Sequence, residues 1–113
     1  MHEMALCESV VQALGEQAAA QGFARVTAVW LEIGALASVE VEAMRFGFDV
    51  VTRDTVADQA RLEIIAVAGE AWCMTCATRV GLQRFGDACP QCGGYQLQVL
   101  TGQQIRIKQI EVI

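Results

Sequence analysis

Residues 73–92 read CMTCATRVGLQRFGDACPQC, two Cys-x-x-Cys pairs, Cys73 with Cys76 and Cys89 with Cys92, separated by twelve residues. The spacing puts four thiolates on two tight turns, a geometry suited to tetrahedral zinc at Zn–S distances of about 2.3 Å. In the second pair Pro90 pre-sets the turn, while Gly93 and Gly94 let backbone N–H groups approach the sulfur atoms. Four protein ligands leave no open coordination position, so the site is structural rather than hydrolytic. Spacing alone does not separate zinc from an iron-sulfur or rubredoxin-like iron centre, and a dithiol redox pair is a third reading.

Around the cysteines, Gly69 to Gly102 holds the only proline and six of the ten glycines. This segment of 34 residues reads as an insert too small to build a sufficient core, so metal binding has to supply its folding free energy. Trp72, Val80, Leu82, Phe85, Tyr95 and Leu97 are expected to pack around the metal.

The flanking sequence has a different grammar. From Glu3 to Gln21, Met4, Cys7, Val11, Leu14 and Ala18 recur at helical spacing, and Gly22 is a natural stop. Val26 to Ile33 is rich in β-branched residues and reads as a strand covered on both faces. Gly34 breaks it, Ser38 can cap a following helix, and Val41, Met44, Phe48 and Val51 give that helix its buried stripe. Strands at Leu62 to Val67 and Ile105 to Val112 follow; the alternation of the second slips between Ile107 and Ile110, as at a bulge or strand end. The expected fold is therefore α/β, with two helices packed on a three-stranded mixed β-sheet and an inserted zinc-ribbon-like subdomain built on the four cysteines. Residues 1–68 and 103–113 form the α/β domain, and 69–102 the zinc-binding subdomain.

A net charge of −5 and a pI near 4.7 argue against a phosphate-binding surface, which needs a basic patch. A zinc-ribbon module binding nucleic acid or protein is the alternative function, and Arg79 and Arg84 are too few to favour the nucleic-acid form. No run approaches the roughly eighteen apolar residues of a membrane helix, and Met1-His2-Glu3 has neither the basic flank nor the apolar run of a signal peptide. A cytoplasmic protein in a reducing compartment is expected, in which paired cysteines indicate metal or redox chemistry rather than disulfides. Cys7, on the apolar stripe, reads as a core residue.

His2 is the only histidine. A free α-amine, the His2 amide nitrogen and its imidazole can form adjoining chelate rings, a nitrogen set that suits nickel(II) or copper(II) better than zinc. Methionine removal favours small second residues, so His2 is expected to leave Met1 and its amine in place. Glu3 can add an oxygen or a backbone nitrogen. The plain alternative, a solvated histidine ahead of a helix, is what spacing alone indicates; Glu3, Glu40 and Glu42 likewise read first as acids near helix starts.

The start Met1-His2-Glu3-Met4 opening a helix, the strand Val29-Trp30-Leu31-Glu32-Ile33-Gly34, and Cys73-x-x-Cys76 with Cys89-Pro90-x-Cys92 together resemble the hydrogenase nickel-incorporation accessory proteins, the HypA/HybF group, over essentially the whole chain. The resemblance implies a non-enzymatic nickel metallochaperone that helps load the [NiFe]-hydrogenase large-subunit precursor during maturation, with the nickel-handling GTPase HypB as partner. It implies nickel(II) as cargo on Met1, His2 and Glu3, with Glu40 a possible neighbour, and structural zinc(II) on Cys73, Cys76, Cys89 and Cys92. A homodimer is compatible with it. Many members carry histidine directly after a cysteine pair, where this chain has Ala77 and Gly93, so no histidine can join the zinc here.

Overall fold

The computed structural model describes residues 3–113. Helix α1 (Glu3–Gln21) leads into strand β1 (Val26–Gly34), a 3-10 turn (Ala35–Ala37), helix α2 (Val41–Val51) and strand β2 (Arg61–Val67). Three short strands follow, β3 (Gly69–Cys73), β4 (Thr78–Leu82) and β5 (Leu97–Thr101), and β6 (Ile105–Val112) closes the chain. The larger sheet has the order β2-β1-β6 and is mixed. Main-chain bonds that tie Arg25 to Ile113 and Gly34 to Gln104 set β6 antiparallel to β1. The second sheet, β4-β3-β5, is antiparallel throughout. The expected fold class is therefore found, and the insert proves to have a sheet of its own.

Two compact units emerge. The first holds the described residues up to Leu31 with Val39–Ile64 and Ile107–Ile113; the second holds Glu32–Ser38 and Ile65–Arg106. In the first, Cys7, Val10 and Leu14 of α1, Met44 and Phe48 of α2, and Val26, Ala28, Val29 and Leu31 of β1 are buried. The stripe on α1 thus runs through Val10 rather than Met4, which is exposed. On α2 Val41 is also exposed, because it opens the helix and lies a turn before the packed positions. The helix cap differs as well. Glu40 occupies the N-cap without a side-chain cap of its own, and Ser38 sits two residues earlier in a left-handed conformation. On β6 the alternation of half-buried and exposed positions breaks at Lys108–Gln109, where the sequence pattern slips.

The second unit is gathered on a close approach of three glycines. A β-carbon on Gly34 would overlap the carbonyl of Gly102, one on Gly102 would press on Gly69, and one on Gly69 would meet Leu82 and Leu36. Gly102 also has φ +104°, a conformation that only glycine adopts without strain. The bare backbones let Leu36 N–H donate to the Gly102 carbonyl at 2.8 Å and Gly34 N–H to that of Gln104 at 2.8 Å. Nearby, Glu32 is buried at 7% exposure, and Arg106 donates to its Oε1 through Nε and Nη2 at 3.1 and 3.0 Å. The charge-assisted pair satisfies a carboxylate that would otherwise be costly to bury.

Gly34→Ala is expected to destabilise the protein by about 3 kcal/mol, because backbone must move to admit the methyl group. Gly15→Ala, in α1 with open space around it, is expected to gain about 1 kcal/mol from helix propensity. Denaturant unfolding measures both, and a tolerated Gly34→Ala would contradict the close approach.

Candidate metal centres

The four paired cysteines converge. Their sulfur atoms all lie within 4.8 Å of one another, with Cys73 Sγ to Cys92 Sγ at 3.7 Å and Cys76 Sγ to Cys89 Sγ at 3.9 Å. A regular tetrahedron with Zn–S distances of about 2.3 Å has sulfur–sulfur edges of about 3.8 Å, whereas a disulfide would bring two sulfurs to about 2.05 Å. The donor set therefore fits zinc.

Two turns of the same construction carry these sulfurs. Cys73 ends the central strand β3, paired with Thr78 on one side and Leu97 on the other. The chain reverses at once, with Ala77 N–H donating to the Cys73 carbonyl at 2.8 Å; Gly93 N–H donates to the Cys89 carbonyl at 2.9 Å in the second turn. Both turns close on a left-handed residue, Ala77 at φ 52° and Gly93 at φ 74°. Glycine takes that conformation freely, whereas alanine bears a cost of about 1 kcal/mol or more. Nothing in the sequence marked Ala77 for it except its place after the pair.

The sulfur atoms also accept backbone hydrogen bonds, from Cys76 N–H to Cys73 Sγ and from Gln91 N–H to Cys89 Sγ, each at 3.4 Å. In the thiol cluster itself, N–H groups of Cys92 and Gln91 pull Cys89 down to about 7, outweighing its desolvation. Cys76, hydrogen-bonded to Cys92 and desolvated, is pushed up to about 12. Turn geometry thus favours the thiolate form at Cys89, and metal binding must displace protons elsewhere in the cluster.

Little besides the sulfurs fills this unit. Around the site the core cluster is Leu36, Ala71, Cys73, Val80, Leu82 and Cys89, with Cys76, Leu97 and Val99 packed against it. Val80, Leu82 and Leu97 therefore lie where expected. Trp72, Phe85 and Tyr95 do not: all three are exposed. Trp72 alternates with Ala71 and Cys73 on β3 and so faces the other side of the small sheet. Leu36, outside the cysteine segment, was not foreseen in this core. Charge on the unit is balanced, Glu32, Glu70 and Asp87 against Arg79, Arg84 and Arg106, so it presents no basic stripe for nucleic acid.

At the other candidate centre Met1 and His2 lie outside the described residues. Glu3 and Glu40, separated by 37 positions, are brought together: the Glu40 N–H donates to Glu3 Oε2 at 3.2 Å. Glu42 stands in the first turn of α2. Cys7 is buried, and burial, with the charges of Glu3 and Glu8 adding to it, pushes its thiol up. It is therefore held as a donor, to the Met44 carbonyl at 3.3 Å, and is a core residue.

The family model "Hydrogenase/urease nickel incorporation, metallochaperone, hypA" matches residues 1–112. The chain belongs to the HypA family. It is 57% identical over 112 residues to the hydrogenase maturation factor HypA of Azotobacter chroococcum and 58% identical over 112 residues to that of Alkalilimnicola ehrlichii, with 99% of each chain covered in both cases. The solution structure of the nickel metallochaperone HypA from Helicobacter pylori superimposes with a TM-score of 0.72, at 19% identity, covering all of this chain and 98% of that one. That likeness establishes the shared fold. Membership makes the chain a nickel metallochaperone of [NiFe]-hydrogenase maturation, from a non-enzymatic family, with a four-cysteine zinc site. Among the described residues no helix is long and apolar enough to cross a membrane.

Chelation of the zinc is expected to abolish hydrogen-exchange protection across β3, β4 and β5, while the helical circular dichroism of α1 and α2 persists. Protection retained in the small sheet after complete metal removal would show that its core suffices without zinc.

Proposed function

We propose that this HypA-family protein takes nickel(II) at its amino terminus, through the Met1 amine with His2 and Glu3, and that Glu40 borders the site. The cargo then passes to the [NiFe]-hydrogenase large-subunit precursor in the cytoplasm, with the GTPase HypB as partner. The observation that supports this reading is the Glu40 N–H bond to Glu3 Oε2, which joins Glu3, the neighbour of His2 in sequence, to the distant Glu40. Amine and imidazole nitrogen, amide and carboxylate together make a hard-to-borderline donor set suited to nickel and distinct from the thiolate set that suits zinc.

Delivery requires release. Amine and imidazole ligands can be protonated or exchanged, whereas four thiolates, two of them on the buried Cys73 and Cys89, leave the zinc no open coordination position. The α-amine and the imidazole have reference pKa values of about 7.7–8.0 and 6.5, and both must be deprotonated to bind. Nickel is therefore held above this range and weakened as pH falls through it. Docking to the partner supplies a replacement ligand, and the zinc unit fixes the docking surface.

Calorimetric nickel titration of protein with a native amino terminus, of a version extended by one residue, and of His2→Ala should show binding by the first alone. Equal affinity in all three would place nickel elsewhere.

A further inference from the structure

Glu3 and Glu40 meet only because the first turn of α1 lies very close to α2, and that approach has an identifiable origin. Gly47 is the one glycine of α2 and is buried. A β-carbon built on it would lie 3.1 Å from Cys7 Sγ and 3.7 Å from both Cα and Sδ of Met4. The first of these distances is tighter than side chains normally tolerate, so a methyl group there must push α1 outward or turn the Cys7 side chain. Cys7 has little room to turn. It is fully buried, as is Met44, and its Sγ is fixed by the Met44 carbonyl at 3.3 Å and touches Met44 Sδ at 3.7 Å.

These contacts form one row. The N-cap Glu40 and Met44 and Gly47 of α2 lie along one side of the helix, which meets Glu3, Met4 and Cys7 of α1. Burial holds Cys7 as a thiol, so the row is fixed by a donated S–H bond and by close packing, without a charge to solvate. Gly47 stands at its end, where helix α2 bears the loss of a side chain and the lower helix propensity of glycine. Gly15 shows the contrast: it too is helical, yet nothing approaches it.

We propose that Gly47 is a positioning residue for nickel: by admitting Cys7 against α2, it holds Glu3 on the Glu40 main chain and so sets the terminal ligands relative to the acidic end of α2. The inference rests on the terminal nickel site proposed above. Groups that support a ligand set without touching the metal commonly account for about tenfold to a hundredfold in affinity.

The test uses the full-length, zinc-loaded protein with its native amino terminus, nickel(II) sulfate as titrant, and the amide resonance of Glu40 as a metal-independent reporter of the Glu3 bond. Gly47→Ala is expected to weaken nickel binding about tenfold and to shift the Glu40 amide, while its melting temperature does not fall in proportion, because alanine favours the helix. Adding Cys7→Ala to Gly47→Ala removes the atom that the new methyl group meets and is expected to restore both readouts. Gly15→Ala is expected to change neither. Gly47→Ala that binds nickel as the unmodified protein does, with the Glu40 amide unmoved, would overturn the proposal, and so would failure of the double variant to recover. If His2→Ala leaves nickel binding intact, the terminal-site reading fails by itself. The placement of Glu3 by Gly47 is then decided on the Glu40 amide alone, moved by the single variant and returned by the double.

Discussion

Zinc coordination by Cys73, Cys76, Cys89 and Cys92 is the interaction on which the second unit depends, because two of the six residues in the core cluster around the site are themselves ligands. Leu36, Ala71, Val80 and Leu82 are all that remain of that cluster, and at about 1.5–3 kcal/mol for a fully buried aliphatic side chain they cannot order a unit of roughly fifty residues. A structural zinc site contributes about 10–16 kcal/mol to folding. That reservoir explains tolerances seen elsewhere in the unit. Ala77 can sit in a left-handed conformation, and Trp72, Phe85 and Tyr95 can be left outside the core, since packing is not what closes the turns.

The same unit has a second fixed point at its base, where Gly34, Gly69 and Gly102 bring three backbone segments into direct contact. The ion pair between buried Glu32 and exposed Arg106 lies beside it. The cysteine cluster and the bare-backbone contact lie in one compact unit whose charges cancel. All of the chain's net negative charge therefore resides on the first unit, the one that carries Glu3, Glu40 and Glu42. An acidic surface suits attraction of a cation and of a basic patch on a partner.

Much of this was legible in the residues. The zinc ligands followed from spacing, since two short turns with paired thiolates admit few other uses, and the two helices and three flanking strands followed from periodicity. Cys7 was readable as core because it falls on the apolar stripe. What escaped the sequence was tertiary in origin. Glu40 replaces Ser38 at the helix start because a carboxylate from another helix serves its N–H; Leu36 joins the zinc core from a turn far away in sequence; Glu32 is buried because Arg106 is brought to it. The inward place given to Trp72 failed because hydrophobicity alone does not say which face of a two-sided strand is covered. No pattern announces Gly47 or Ala77, whose roles depend on distances between elements.

The proposed function divides two metals between two chemically different donor sets, and X-ray absorption on one sample loaded with both metals tests that division directly. The zinc edge should show four sulfur neighbours at about 2.3 Å, unchanged by nickel, and the nickel edge a shell of nitrogen and oxygen with no sulfur. Sulfur in the nickel shell, or nitrogen in the zinc shell, would contradict it.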